Sequence, residues 1–178
     1  MIVGLPANEF VVLDVETTGL EPAKGEEIIE IGAEKLQGRE VIGEFVRLIK
    51  PTKPVPAETT AIHGLTNENL ALEGQLIKEV MPEFMEFLGS SIIIAHNAAF
   101  DVGFLNVELG RLGLPLLKNQ TIDTIEIAKR YLILSSYRLQ NVAAYLKVPQ
   151  PSAHRALVDV QTTREVFFKL IDRAKQPR

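Results

Sequence analysis

The chain has 178 residues, of which 46% are hydrophobic and 24% are charged, and it contains no cysteine. This composition fits one soluble globular domain over residues 1–178, with a core of about residues 10–173, and it excludes disulfides and thiolate metal sites. The formal net charge of −4 argues against a broad basic surface that grips duplex nucleic acid through many phosphates. This net charge is compatible with a small site that acts on the end of a nucleic-acid chain, and with carboxylates that bind cations.

Neither a membrane span nor a secretion signal is predicted. The densest apolar stretch, Ile92–Ala95, has the length of a strand, and the chain does not open on a basic region followed by an apolar segment. We therefore expect a cytoplasmic protein that makes no membrane contact.

Three strands are predicted in the first part of the chain. Phe10–Val15 is an apolar run typical of a buried strand, and a turn region with glycine and proline follows over residues 17–27. Apolar and polar residues alternate over Ile29–Glu34, which predicts a half-buried strand. A hairpin turn at residues 37–40 leads to a third strand over Val41–Ile49. Strands joined by short turns predict an antiparallel start to the sheet.

Helices and further strands are predicted in the rest of the chain. An irregular loop is expected through Gly64, and the next helix has an apolar stripe from Leu76 to Leu88, with Pro82 either in its first turn or at a kink. The remaining predicted elements are a strand at Ile92–Ala95, a helix at Ala98–Leu112, a strand at Thr121–Thr124, a helix at Leu139–Leu146 and a helix at Arg155–Ala174. Together they predict a mixed α/β sheet with helices on its faces.

Two acidic residues lie at the end of the first predicted strand. Residues two apart in a strand point to the same face, so Asp14 and Glu16 project together, about 7 Å apart along the chain. Like charges side by side at the end of an apolar strand are unfavourable unless something positive lies between them. The pair therefore indicates a metal-dependent site.

Asp101 and Asp159 are further candidate ligands on predicted helices. Asp101 falls in the early turns of its helix, where an acidic residue also complements the helix dipole and Asn97 stands in the N-cap position. Asp159 lies with the apolar stripe of the last helix, and a carboxylate on a buried face needs a cation or several donors. The alternatives are a dipole partner at Asp101 and a structural salt bridge at Asp159.

His154 is a candidate general base. It precedes Asp159 by five residues, and five residues of continuous helix would turn the two side chains about 140° apart. It is therefore placed in the loop that enters the last helix, where an exposed imidazole suits proton transfer near neutral pH. A surface histidine is the alternative.

Convergence of the four carboxylates would require cations. Two charges about 5 Å apart repel by roughly 3 kcal/mol at an effective dielectric constant of about 20. Ligands that are all oxygen favour Mg²⁺ or Mn²⁺ over Zn²⁺. Two such ions are able to stabilise both the attacking and the leaving oxygen of a phosphodiester.

Three motifs, in order, resemble those of the DEDDh family of 3′–5′ exonucleases, in particular the proofreading (epsilon-type) subunit or domain of bacterial DNA polymerase III. They are Asp14–Gly19, Ala95–Asp101 and His154–Asp159, with secondary matches at Ile62–Thr66 and Ile122–Thr124. Each motif alone is weak, but their order and their placement on the expected elements make the match specific.

The resemblance implies an α/β fold of the RNase H-like (exonuclease) type. Its sheet would have five strands, the first three of them antiparallel, and helices would flank it. The implied metal ligands, for two Mg²⁺ or Mn²⁺ ions, are Asp14, Glu16, Asp101 and Asp159. His154 would deprotonate the attacking water.

The resemblance also implies a set of substrate-binding residues. Glu16 and Thr17 would contact the terminal 3′-hydroxyl, with Asn97 nearby, and Glu58 and His63 would contact the terminal nucleotide. The full set is Asp14, Glu16, Thr17, Glu58, His63, Asn97 and Asp159.

The implied activity is removal of nucleoside monophosphates from single-stranded or frayed 3′ ends of DNA. It would serve proofreading by a replicative DNA polymerase, with a polymerase subunit as partner. A 3′–5′ exoribonuclease of the same family, of the ribonuclease T or oligoribonuclease type, is an alternative, because metal-holding residues do not discriminate between the two sugars. A catalytically silent nucleic-acid-binding module and an internal-cutting nuclease of the same fold are further alternatives.

Overall fold

A mixed sheet of five strands runs through the computed structural model, which describes residues 9–150 and 155–175. The strands are β1 (Glu9–Thr17), β2 (Ile28–Gln37), β3 (Glu40–Leu48), β4 (Ile92–Ala95) and β5 (Thr121–Asp123). Their order is β3-β2-β1-β4-β5. β2 is antiparallel to both β1 and β3, whereas β4 is parallel to both β1 and β5. The predicted sheet is confirmed.

Seven α-helices and one short 3-10 helix complete the described part of the chain. The helices are α1 (Ala57–His63), α2 (Asn67–Glu73), α3 (Ile77–Leu88), α4 (Ala98–Arg111), α5 (Thr124–Tyr131), α6 (Leu139–Tyr145) and α7 (Ala156–Ala174), and the 3-10 helix is Pro22–Lys24. The predictions of α3, α4, α6 and α7 are confirmed with similar bounds. None of the described helices is both long and apolar enough to cross a membrane.

The irregular loop predicted through Gly64 is wrong, because α1 lies within it. α1 and α2 have seven residues each, too few for an apolar stripe to show the helical period in the sequence. The start of α2 is instead stabilised by a capping box, in which the Thr66 hydroxyl accepts a hydrogen bond from the Asn69 N–H at 3.1 Å. Pro82 lies inside α3, past its first turn.

The side chains of β1 alternate between two hydrophobic cores, one on each face of the sheet. Val11, Leu13 and Val15 pack with α3 and α4. Phe10 and Val12 pack with α5, α6 and α7. Because the period of a strand is two, the positions of Asp14 and Glu16 continue this second row and face α7.

β2 is buried on both faces, so the prediction of a half-buried strand is wrong. Glu30 and Glu34 are only 1% and 2% exposed, because the segment that contains α7 covers the face expected to meet solvent. Each carboxylate is paired with an arginine of that segment: Arg155 lies 2.8 Å from Glu30, and Arg164 lies 2.7 Å from Glu34. This long-range pairing makes buried acidic residues tolerable.

α7 begins directly over β2, at a glycine. A Cβ atom on Gly32 would lie 2.6 Å from the carbonyl carbon of Ala156 and 2.7 Å from the nitrogen of Leu157. These are backbone atoms, so only a residue without a side chain admits this approach. Gly32 is also the residue opposite Asp14 in the antiparallel pair. The first turn of α7 is therefore placed beside Asp14.

We predict that Gly32→Ala lowers the free energy of unfolding by about 1–3 kcal/mol, the usual range for overpacking a well-packed site. The added methyl group has to push the start of α7 away from β2. Urea unfolding followed by circular dichroism measures the change.

Gly103→Ala is the matched control, since Gly103 lies in α4 and, apart from its chain neighbours and the nearby backbone of its own helix, no described atom lies within 4 Å of the position that a Cβ would take. A helical Gly→Ala change at such a site stabilises by about 0.4–1 kcal/mol. Equal stability of the two variants would contradict the tight contact between α7 and β2.

Candidate active site

Three carboxylates meet where the C-terminal end of β1 approaches α7. Asp14 and Glu16 are half-buried and lie opposite Gly32 and Glu30 of β2. Asp159 lies in the first turn of α7 and is buried. One oxygen from each of Asp14, Glu16 and Asp159 lies within 4.8 Å of the other two. The structure thus brings together three of the predicted ligands, here called the acidic cluster.

Asp101 adjoins the acidic cluster from α4. It lies in the first turn of that helix and is 2% exposed. Its Oδ1 accepts the backbone N–H of Val15 at 3.1 Å, which holds the carboxylate against β1 between Asp14 and Glu16. The fourth predicted ligand therefore lies against the strand that carries Asp14 and Glu16, but it is not one of the three residues whose oxygens lie within 4.8 Å of one another.

Burial and repulsion from neighbouring carboxylates raise the pKa values of Asp14, Glu16 and Asp101. Burial, followed by the charge of Asp101, raises the pKa of Asp14 well above its usual range. Burial and then Asp159 raise the pKa of Glu16 to about 8, and Arg155 partly offsets this effect. Burial raises the pKa of Asp101 to about 8, against its backbone hydrogen bonds. Without cations, the site is therefore electrostatically unfavourable once these acids are ionised.

The donor set of the acidic cluster fits a hard divalent cation. Each of its three residues offers a carboxylate oxygen, and oxygen ligands suit Mg²⁺ and Mn²⁺. An opposite charge at this position would favour the ionised form of every carboxylate around it. The chemistry and the electrostatics of these residues are those of a metal site.

Asn97 starts α4 in an unusual backbone conformation. It is exposed and left-handed, with φ 72°, and its side chain makes no capping hydrogen bond to the described residues. The carboxylate of Asp123 accepts the backbone N–H groups of Asn97 and Ala98 instead, at 3.2 Å each. The sequence places Asn97 correctly before the helix but does not reveal that another residue caps it.

Of the remaining predicted residues that the structure describes, Thr17 lies in β1, whereas Glu58 and His63 lie in α1. Thr17 is buried next to Glu16 in β1, and its hydroxyl donates to a backbone carbonyl at 2.6 Å. His63 is buried at the end of α1, where its Nδ1 accepts a backbone N–H at 3.0 Å, and Glu58 is exposed in the first turn of the same helix. The acidic cluster, as found among the described residues, contains neither of these two. His154 lies outside the described residues.

Glu30 and Arg155 border the site, and the sequence patterns did not single them out. The Arg155 guanidinium donates to both carboxylate oxygens of Glu30, at 2.8 Å and 3.1 Å. The backbone N–H of Ala156 donates to Glu30 Oε2 at 3.0 Å. The pairing register of β1 and β2 could have identified Glu30, because it places Glu30 opposite Glu16.

The sheet order and the carboxylates at the end of its central strand define an RNase H-like fold of the exonuclease type. A family model described as "Exonuclease" matches residues 11–167. The chain belongs to this exonuclease family, and the predicted family resemblance is confirmed.

Curated relatives of the chain include the DNA polymerase III PolC-type proteins of two bacteria. The protein of Thermotoga maritima is 44% identical over 168 residues, which are 94% of this chain. The protein of Caldanaerobacter subterraneus subsp. tengcongensis is 36% identical over 170 residues, which are 95% of this chain. In both cases the matched region is 12% of the length of the relative.

Solved structures of exonucleases share the fold. Exonuclease X in complex with 5′ overhanging duplex DNA has a TM-score of 0.72 at 24% identity, and the match covers 94% of both chains. The zinc-bound complex of E. coli exonuclease I with single-stranded DNA has a TM-score of 0.83 at 21% identity, covering 96% of this chain and 42% of that one. At these identities the likeness establishes the fold.

We predict that the metal-free protein loses stability as the pH rises toward about 8. The usual pKa values are 4.5 for Glu16 and 3.8 for Asp101, and both are about 8 in the folded protein. Between these limits the folded state binds more protons than the unfolded state, so the free energy of unfolding falls with increasing pH. Urea unfolding in EDTA at about pH 5.5 to 8.5 measures the slope.

The Asp14→Asn variant is expected to flatten this slope, because it removes a repulsive charge from the site. Asp172→Asn is the control, since Asp172 is exposed on α7 and paired with Arg39; it should keep the wild-type slope. A wild-type stability that rises steadily over this interval would contradict the electrostatic description.

Proposed function

We propose that this chain is a metal-dependent 3′–5′ exonuclease that hydrolyses phosphodiester bonds from the 3′ end of DNA and releases nucleoside monophosphates. The observation that carries the proposal is the acidic cluster, whose three carboxylates offer oxygens within 4.8 Å of one another. Membership of the exonuclease family over residues 11–167 supports it. We propose further that residues 1–178 act as one exonuclease domain.

Asp14, Glu16, Asp101 and Asp159 are assigned as the ligands of two divalent ions, Mg²⁺ or Mn²⁺. Bound ions of this kind stabilise the charge on the attacking and leaving oxygens of a phosphodiester. The protein contributes rigid placement of the ligands: Asp101 is held by the N–H of Val15, and Asp159 by the first turn of α7. Ligands fixed in this way lose little freedom when the substrate binds.

His154 is assigned as the general base that takes a proton from the attacking water. It directly precedes Arg155 in the sequence, and Arg155 is anchored to Glu30 beside the acidic cluster. Imidazole suits this task because its unperturbed pKa lies close to the operating pH.

Substrate contacts are assigned to residues at the end of β1 and on the neighbouring helices. Glu16 and Thr17 would contact the terminal 3′-hydroxyl. The exposed Asn97, at the start of the helix that carries Asp101, would lie close to it. Glu58 and His63 of α1 would contact the terminal nucleotide.

DNA is the proposed substrate, and proofreading the proposed role. The curated relatives are named as DNA polymerase III proteins, and the structures of exonuclease X and exonuclease I cited above contain DNA. The substrate would be a single-stranded or frayed 3′ end, and a replicative polymerase subunit would be the partner in the cytoplasm. No membrane contact is proposed.

We predict stepwise shortening of a DNA primer with a mispaired 3′ end in Mg²⁺ or Mn²⁺, and complete loss of cleavage in EDTA. A 5′-labelled primer on a sequencing gel displays the product ladder, and an RNA primer of the same sequence tests the exoribonuclease alternative. Internal fragments would contradict an exonuclease, and faster cleavage of RNA would contradict the proposed substrate. Binding of DNA without any cleavage in either metal would indicate a silent module.

Substitutions at the site should separate metal binding from proton transfer. Asp14→Asn and Asp159→Asn are expected to abolish cleavage, because each removes a charged ligand. His154→Ala is expected to lower the rate by about 10²–10⁴-fold, the scale for loss of a general base. Single-turnover rates on the labelled primer measure all three.

The matched control is Asp172→Asn, which neutralises an exposed aspartate on the same helix as Asp159 and should cleave at the wild-type rate. Wild-type cleavage by Asp14→Asn would refute the metal assignment. Wild-type cleavage by His154→Ala alone would refute the general base.

A further inference from the structure

The two helices that carry carboxylates of the site begin in the same way. α4 starts at Ala98 with Asp101 three positions later, and α7 starts at Ala156 with Asp159 three positions later. The residues before them, Asn97 and Arg155, make no side-chain capping hydrogen bond to the described residues. In each case the first helical N–H is bound by an acidic residue of a neighbouring strand.

At α7 this acidic residue is Glu30. Its Oε2 accepts the N–H of Ala156 at 3.0 Å, and the Arg155 guanidinium donates to both of its oxygens. Glu30 is 1% exposed and lies near the start of β2, opposite Glu16 of β1. The start of α7 is therefore tied to the strand that lies beside Asp14 and Glu16.

At α4 the corresponding residue is Asp123 at the end of β5. Its Oδ2 accepts the N–H of Ala98 at 3.2 Å, and its Oδ1 accepts the N–H of Asn97 at 3.2 Å. The same Oδ1 accepts the N–H of Ile125 at 2.8 Å and so caps α5 as well. One carboxylate thereby aligns the starts of two helices with the edge of the sheet.

We infer that Glu30 and Asp123 are positioning residues, which set the height and rotation of α7 and α4 so that Asp159 and Asp101 reach the metal site. An ordinary N-cap would stabilise each helix but would not tie it to the sheet. A carboxylate on a strand does both, and it also complements the positive end of the helix. This inference rests on the metal site proposed above.

The charge of Glu30 does not by itself explain its location. Glu30 lies opposite Glu16 and adds to the repulsion at the site, so a neutral side chain would be electrostatically easier to accommodate there. The hydrogen bonds from the Ala156 N–H and the Arg155 guanidinium offset this repulsion and account for an acidic residue at this position. Residues that orient metal ligands typically change metal affinity or activity by about 10–100-fold when they are lost.

The test compares variants of equal charge. Glu30→Gln and Glu30→Ala both remove the negative charge, but only Gln keeps an oxygen that can accept the N–H of Ala156. Calorimetric titration of the 178-residue chain with Mn²⁺ measures the affinity, and thermal unfolding in EDTA reports the metal-free stability. We expect Mn²⁺ to bind Glu30→Ala about tenfold more weakly than Glu30→Gln.

Glu34→Ala is the matched control. Like Glu30, Glu34 is a buried carboxylate of β2 that is paired with an arginine, but its partner Arg164 lies inside α7, well past the start of the helix. This variant should lose stability and keep wild-type Mn²⁺ affinity. If Glu30→Ala does not fold, Asp123→Ala and Asp123→Asn make the same comparison at α4.

Equal Mn²⁺ affinity of the Ala and Gln variants would overturn the positioning role while leaving the metal site standing. An equal loss of affinity in Glu34→Ala would also overturn it, because destabilisation alone would then explain the effect. Wild-type protein that binds no Mn²⁺ would refute the metal site and this inference together.

Discussion

Repulsion among carboxylates at the end of β1 is the constraint on which the rest of this structure depends. Asp14 and Glu16 share a face of the strand, and Asp159 and Asp101 approach from two different helices. The repulsion between their charges pushes these carboxylates apart, so neighbouring residues have to hold them in place. A cation that binds only the folded state stabilises it by mass action. The same carboxylates that destabilise the metal-free protein therefore stabilise the folded protein when a cation is bound.

The elements around the site are organised to resist this repulsion. Gly32 lets the backbone of α7 approach β2, and the pair of Glu30 with Arg155 fixes the helix start at that point. β1 itself is buried between two hydrophobic cores, so the strand that carries the first two acids has no room to shift. The family supplies the fold, whereas the chemistry depends on these particular side chains.

Much of the fold could be predicted because its signals are local. An apolar run that ends in Asp14 and Glu16 specifies both a buried strand and an acidic site, and the apolar stripe of α7 carries Asp159 with it. The contacts of Glu30 and Asp123 with the starts of α7 and α4 could not be predicted, since each joins residues that are distant in the sequence. α1 and α2 were not predicted because each has only two turns, which are too short for apolar residues to show the helical period.

The most direct test of this account is a calorimetric titration of the wild-type chain with Mn²⁺ at about pH 7, repeated in buffers of different ionisation enthalpy. Ligands must lose their protons to bind a metal, and Glu16 and Asp101 have pKa values of about 8 in the metal-free protein. The account predicts uptake of two ions per chain with release of protons to the buffer. Absence of uptake, or uptake without proton release, would contradict it.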